Sequence, residues 1–328
     1  MQKELLDILA CPKCLSSLSC EVGESENGGI ISGILECKNC GRKYPVERGI
    51  PRFVQRTNYA SSFGFQWNRF RLEQIDSFNK TGLSEKRFLS ETGWTQEWLR
   101  GKWVLDAGCG AGRFLDIASK NGSQAVGLDM SESIDAAASI FRNRKNVHLV
   151  QGSIYELPFR SGIFDGCYCI GVIQHTPEPR KAIGSLPRIL KGHGVIAITI
   201  YEKKKFSKVY SKYLLRPLTK RLDKKILLFL IKALMPFLFP VTEVLFRLPI
   251  LGRFFKFIIP VADYVDKPQL SFRQRYRWAI LDTFDMLSPE YDQPQTQGEA
   301  ERSLSAASII NIRRLGNPGL NLVGEKHR

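Results

Sequence analysis

Two sets of residues have types and spacings that could do chemistry. The first is a pair of CxxC units, Cys11-Pro-Lys-Cys14 and Cys37-Lys-Asn-Cys40, separated by 22 residues. Four thiolates offered from two knuckles make the tetrahedral sulfur set that zinc prefers, and two matched pairs favour zinc over a redox pair or chance cysteines. Gly41 after the second pair suits a knuckle turn, and Cys20 falls outside the pattern as a structural residue. The second set is VLDAGCGAGRF at 104–114, where an apolar run meets Asp106 and then glycines at 108, 110 and 112. Glycine lets a ligand approach the backbone and accepts positive φ, so this is a strand entering a binding turn and leaving as a helix.

Three ligands use such turns, and the flanking residues separate them. A P-loop closes on Gly-Lys-Ser/Thr, but here Gly112 is followed by Arg113-Phe114. A dinucleotide turn reads GxGxxG, whereas this one reads GxGxG, with the carboxylate of Asp106 too near for a pyrophosphate. S-adenosyl-methionine is cationic, carries no phosphate and keeps a ribose. Asp129, 21 residues after Gly108 at the end of the next apolar run, stands where an acid can accept both ribose hydroxyls. Cys109, Cys167 and Cys169 read as small buried residues.

The elements that must hold these residues alternate. Strand patterns lie at 103–107, 124–129, 147–150, 164–171 and 194–200, with helical patterns at 111–120, 132–142 and 178–190. That alternation predicts an α/β fold: a Rossmann-like parallel sheet with ligands outside the carboxyl ends of its strands. A helix near 295–306 and the runs SIINIRRL and GLNLVGEK are expected to complete the sheet with an antiparallel C-terminal edge. The chain therefore divides into a zinc ribbon (1–53), an aromatic-rich linker or lid (54–100) and a cofactor-binding core (101–200). A basic helical insertion (201–280) and a C-terminal completion of the sheet (281–328) follow.

Two family resemblances rest on these stretches. LLDILACPKCLSSL followed by LECKNCGRKYPVERGIPRFV resembles the small zinc-ribbon family whose free-standing members activate methyltransferases. This implies a structural zinc, since four cysteines leave no open coordination position. VLDAGCGAGRF, AVGLDMS, GSIYELPFRSGIFDGCYCIGVIQHTPEP and LPRILKGHGVIAITIY resemble class I S-adenosyl-methionine-dependent methyltransferases, of the group related to ubiquinone-type methylases. DTFDMLSPEYDQPQT is similar to a segment of that group's longer members. The resemblance implies that Asp106 and the backbone of Gly108, Cys109, Gly110 and Gly112 hold the methionine part. It also implies that Asp129 holds the ribose and that Met130 packs on adenine. An acid usually meets the adenine amino group where this chain has Ser153, so the Ser153 hydroxyl or the backbone near Ile154 takes that role. Ile170-Gly171 would lie beneath the sulfonium, with Gln174 and His175 toward the acceptor. A sulfonium is already electrophilic, so alignment supplies most of the acceleration. His175 is the candidate base where the acceptor is protonated at neutral pH.

The net charge of +16 is concentrated. Residues 203–256 hold 14 Lys or Arg against Asp223 and Glu243, interleaved with Leu, Ile and Phe. The pattern predicts amphipathic helices on an anionic membrane surface, with a small molecule, lipid or lipid-linked glycan as acceptor. The same charge beside a zinc ribbon also fits RNA phosphates, a third reading makes 203–280 a helical cap that closes a small-molecule site with its charges solvated, and a non-catalytic scaffold of the same fold is a further alternative. The apolar run 226–241 is interrupted by Lys232, Pro236 and Pro240, so no uninterrupted membrane span is expected. Prolines 217, 236, 240, 249 and 260 are expected to divide the segment into short helices. The N-terminus lacks a signal-peptide pattern, which with the cysteine usage places the expected protein in the cytoplasm, peripheral on the inner face of the membrane.

Overall fold

A computed structural model describes the chain except residues 56–57, 205–209 and 317–318. After helix α1 (Lys3–Ile8), four antiparallel strands run in sequence order: β1 (Leu18–Glu26), β2 (Gly29–Cys37), β3 (Lys43–Glu47) and β4 (Ile50–Pro51). Two of the connections are two-residue turns, Asn27-Gly28 and Arg48-Gly49, with positive φ at both positions. That is the backbone twist a tight hairpin needs, and glycine at the second position supplies it without strain.

Helices α2 (Ser61–Arg69), α3 (Asp76–Asn79), α4 (Leu83–Thr92) and α5 (Gln96–Leu99) lead to the central sheet. Its elements are β5 (Trp103–Ala107), α6 (Arg113–Lys120), β6 (Gln124–Asp129), α7 (Ser133–Phe141), β7 (Val147–Gln151), β8 (Phe164–Ile170), α8 (Pro179–Ser185) and β9 (Leu190–Ile200). Helices α9 (Ser211–Thr219), α10 (Lys224–Leu245), α11 (Leu251–Ile258) and α12 (Phe272–Leu287) form the insertion. The chain closes with α13 (Gln297–Ala306), β10 (Ile309–Arg314) and β11 (Leu320–Lys326). The sheet order is β10-β11-β9-β8-β5-β6-β7. Strands β5 to β9 pair in parallel, and their apolar runs are buried on both faces. The antiparallel strand β11 lies between β9 and β10, so the last hairpin folds back and β10 forms the edge. Strand order reverses beside β5, and a crevice opens there at the carboxyl ends.

The ribbon is built onto this sheet. Phe53 N–H donates to the Gln151 carbonyl at 2.8 Å, which extends β4 along β7, and Ala10 N–H donates to the Pro158 carbonyl at 3.0 Å. Arg52 is buried between them. It donates to Asp135 at 2.7 Å and to Gln151 Oε1 at 2.8 Å, and Gln151 in turn donates to the Met130 carbonyl at 3.2 Å.

The insertion departs from expectation. Pro236 and Pro240 lie inside one unbroken 22-residue helix, α10, and Pro217 lies inside α9; Pro249 and Pro260 do fall between helices. The carbonyls that lose a partner at 236 and 240 belong to residues 232 and 236. All of them stack along one edge of the helix at four-residue spacing, and the rest of the ladder stays whole. A neighbouring stripe about 100° round the helix, Leu227, Ile231, Met235 and Phe239, is anchored in an apolar cluster with Ala279, Ile280 and Phe284 of α12. Among the described residues, α10 is therefore one helix long and apolar enough to cross a membrane by length and composition, with 33% of that stretch buried. Counting uninterrupted apolar residues missed it because Lys232 and the prolines do not end the helix.

Candidate active site

Strand β5 delivers the chain into the glycine turn, where φ is +91° at Gly108, +55° at Gly110 and +92° at Gly112. A Cβ on Gly108 would come within 2.5 Å of Val172 Cγ2, and one on Gly112 within 2.2 Å of Phe141 Cε2. Neither position has room for a side chain. The turn is pinned to the end of β6: Gly108 and Cys109 N–H donate to the Leu128 carbonyl, and Gly110 N–H donates to Asp129 Oδ2 at 2.9 Å. Asp129 Oδ1 accepts from the Ser131 amide at 2.8 Å and the Ser131 hydroxyl at 2.7 Å. Asp129 therefore shapes the turn and caps the following one.

A cavity of about 840 Å³ opens over this turn. Gly108, Cys109, Gly110, Asp129, Met130, Ile154 and Ile170 all line it, as do Gly171 and His175. Four residues of the sequence reading, Asp106, Gly112, Ser153 and Gln174, stand elsewhere. Gly112 starts α6 against Phe141. Ser153 is buried, with its hydroxyl accepting from Tyr155 N–H at 3.2 Å, and Gly152 and Ile154 take the wall on either side of it. Asp106 is 2% exposed behind the turn, and its Oδ2 has no hydrogen-bond partner. Burial pushes its carboxyl well above the usual range, with the neighbouring Tyr168 hydroxyl opposing. A turn whose glycines leave the backbone open to the cavity and a carboxylate at Asp129 fit a ligand with a ribose, while the orphaned Asp106 stays buried behind the turn. Gln174 is fully buried and does not line the cavity.

The far side of the cavity comes from elements outside those motifs. Tyr59, Phe63 and Trp67, from the 54–100 segment, cover the turn, and Trp67 Nε1 stands 3.2 Å from where a Cβ of Gly110 would be. Helix α12 supplies Trp278, Asp282, Asp285 and Met286. In the sequence, the two acids stand three residues apart at the start of the segment DTFDMLSPEYDQPQT, a spacing that places them on one helix face. Burial raises the Asp282 carboxyl to about 7, with Asp285 adding to the shift and Arg113 and Arg87 opposing it. Burial also raises Asp285, against the pull of His175. Arg113 is itself pushed down to about 9 by burial and by Arg87, and it donates to Gln74 at 2.7 Å and Ser84 at 2.9 Å.

His175 sits between the rings of Phe63 and Tyr201, with centroids 5.1 and 5.6 Å away. Its Nδ1 is 3.0 Å from the Tyr291 carbonyl. A carbonyl only accepts, so the neutral ring carries its proton on Nδ1 and keeps the Nε2 lone pair. Burial and the facing carboxylates of Asp285, Asp292 and Asp282 keep the Tyr201 hydroxyl protonated.

In the ribbon the sulfurs of Cys11, Cys14, Cys37 and Cys40 lie within 4.8 Å of one another. A zinc tetrahedron with bonds of about 2.3 Å has edges near 3.8 Å, and Cys11–Cys40 and Cys14–Cys37 stand at 3.6 and 3.4 Å. The two knuckles close alike: Leu15 N–H donates to the Cys11 carbonyl and Gly41 N–H to the Cys37 carbonyl, both at 2.8 Å. The donor set fits a structural zinc.

Residues 105–198 match the family described as Methyltransferase domain, and residues 2–49 match the family described as Trm112p-like protein. An uncharacterized chloroplastic methyltransferase of Arabidopsis thaliana is 25% identical over 234 residues, covering 59% of this chain and 61% of that protein. A ubiquinone biosynthesis O-methyltransferase of Coxiella burnetii is 34% identical over 98 residues, covering 29% of this chain and 42% of that protein. The chain thus spans less than two thirds of the length of either relative. A solved Haloferax volcanii complex of the Trm112 methyltransferase activator with a protein described as a methyltransferase overlays with a TM-score of 0.45. The identity there is 11%, over 81% of this chain and 98% of that one. Residues 105–198 are thus similar to a methyltransferase domain, and residues 2–49, ahead of them, to a Trm112p-like zinc ribbon with its four-cysteine cluster.

Proposed function

We propose that the protein transfers a methyl group from S-adenosyl-methionine to a small-molecule or lipid-type acceptor held between the sheet and α12. The observation that carries this reading is the single cavity joining the glycine turn and Asp129 to His175, Tyr201 and Asp285. S-adenosyl-methionine supplies an electrophilic methyl group when bound. Asp129, Met130 and the turn hold that ligand, while Phe63, Trp67 and α12 exclude bulk water from it. His175 Nε2 takes a proton from an acceptor hydroxyl or ammonium, and the Tyr291 carbonyl fixes the ring for that task. Proximity and orientation account for the largest share of the rate, with proton removal adding about 10²–10⁴-fold where the acceptor needs it. RNA recognition by the ribbon is less well supported, because the ribbon's apolar side is spent on packing against the core.

The test is incubation of the purified protein with methyl-labelled donor and a cell extract, followed by separation of lipid, RNA and small-molecule fractions. Label in the lipid or small-molecule fraction, reduced by His175→Gln, is the expected result. Label confined to RNA overturns the acceptor class, and donor binding without any transfer supports the scaffold reading.

A further inference from the structure

Helix α10 is apolar on both sides, yet only one side is packed. Ile226, Phe229, Leu230, Leu234, Phe237, Leu238, Val241 and Val244 recur at three- and four-residue spacing and form a continuous solvent-facing stripe with no polar residue in it. Phe229 is 68% exposed and Phe237 75%. A helix apolar all round is normally buried all round, and a stripe of this extent marks a contact surface. The neighbouring helices continue the pattern: Leu214 and Leu218 on α9, and Leu251, Phe254 and Ile258 on α11, are exposed as well. Ile250, between α10 and α11, is 89% exposed and held at φ +62°, a strained backbone for a β-branched residue.

The charges around the stripe say what covers it. Both acids of the segment are occupied internally. Asp223 accepts from the Lys225 and Ile226 amides to cap α10, and Glu243 accepts from Arg275 and Arg247. Several cations are occupied too, since Arg216 and Lys224 cap the carbonyls that end α12 and Lys212 pairs with Asp292. Among the described residues, Arg221, Lys225, Lys232 and Arg253 have no acid within ion-pair distance. Arg221 and Lys225 stand at the start of the stripe and Arg253 beyond its end. A second copy of the chain would bring the same positive border against this one. An RNA would match the charge and leave the phenyl and aliphatic groups without a partner.

We propose that the outer faces of α9, α10 and α11 dock in the headgroup region of an anionic lipid surface. Phe229, Leu234 and Phe237 enter the acyl boundary while Arg221, Lys225 and Arg253 meet the phosphates. The helix lies in the interface rather than across it, because its inner stripe remains packed on α12. The same helices reach the acceptor cavity: Lys212 of α9 lines it, and so does Ala262, four residues after α11. Docking at this face therefore sets the cavity beside the surface. The binding itself does not depend on methyl transfer, and it is read without it.

The test is co-sedimentation of the full-length protein with vesicles of phosphatidylglycerol and phosphatidylcholine, or of phosphatidylcholine alone, at low and high salt. The expected result is binding to the anionic vesicles at low salt, weakened by salt as the Debye length shrinks to about 3 Å at 1 M. The Phe229→Ser/Phe237→Ser variant should bind at least about tenfold less, with zinc content and S-adenosyl-methionine affinity unchanged as evidence of folding. Arg221→Gln/Lys225→Gln should bind several-fold less to the same vesicles. No binding to anionic vesicles, or equal binding to neutral ones, overturns the proposal. So does resistance to alkaline carbonate extraction, which indicates a spanning helix. A dimer that the double Phe variant converts to monomer, with vesicle binding unchanged, assigns the face to a second copy and equally overturns it.

Discussion

Leu5, Ile8, Leu9 and Leu35 of the ribbon share one apolar cluster with Val126, Leu128 and Phe159 of the core, while Leu227, Met235 and Phe239 of the cap belong to a separate cluster with α12. Both regions are additions to the same sheet, and they are fastened differently. The ribbon is joined by backbone hydrogen bonds at Phe53 and Ala10 and by buried Arg52, which reaches through Gln151 to the carbonyl of Met130 on the cavity wall. The cap brings its own core and leaves an apolar stripe uncovered. The ribbon therefore acts as an integral part of the fold, and the cap as a module with a second surface to satisfy.

The most disruptive way to test this contrast is to remove the zinc. Structural zinc in small ribbons is worth about 10–16 kcal/mol, and here the ribbon shares its core with the sheet. Cys37→Ser, or a strong chelator, should lower the unfolding temperature of the whole chain and abolish the one bound zinc seen by elemental analysis. A zinc-free protein with an unchanged melting curve would separate the ribbon from the core.

Next come neighbouring residues on opposite faces of α10. Met235 is 1% exposed, and truncation to Ala should cost about 2–4 kcal/mol in urea unfolding. Leu234→Ser should stay within about 0.5 kcal/mol, because no packing is lost. Equal costs would mean that both faces are covered in solution.

Arg52→Met should cost about 2–3 kcal/mol by leaving Asp135 and Gln151 without their donor. The figure is reduced from that of a fully buried pair because the Asp135 side chain is 26% exposed. It should also weaken S-adenosyl-methionine binding through Met130. A stability loss with unchanged binding would limit the ribbon to a structural role.

The smallest effect concerns Asp282. Its folded-state carboxyl lies near 7, above the unfolded value near 4, so the native state holds the extra proton between them. Its presence should cost stability as pH rises from about 4 to about 7, with no further change above. The expected cost is about 2 kcal/mol, discounted for water in the cavity it lines. Asp282→Asn should remove that slope in unfolding measured at pH 5 and pH 8. An unchanged slope would place the titration elsewhere.

Legibility in the sequence follows the range of the interactions. Strands β5 and β6 and the glycine turn were readable because alternation, glycine spacing and a carboxylate at a strand end are local signals. The cysteine pairs were readable for the same reason. The role of Gly112 was not, since only the approach of Phe141 from α7 shows why it must lack a Cβ. The continuity of helix α10 is not legible from its sequence, because its prolines read as breaks and only the packing of the neighbouring stripe on α12 holds the helix together across them. Asp282 and Asp285 open the segment DTFDMLSPEYDQPQT, which resembles the family without marking either acid as a site residue, because only the packing of a distant helix brings them to the cavity.

Calorimetric titration of S-adenosyl-methionine into the wild-type protein and the Asp129→Ala variant tests the central claim most directly. The account predicts one site per chain and a loss of about 1.5–3 kcal/mol, roughly 10- to 100-fold in affinity, in the variant. No binding to the wild-type protein, or equal affinity in the two proteins, would contradict it.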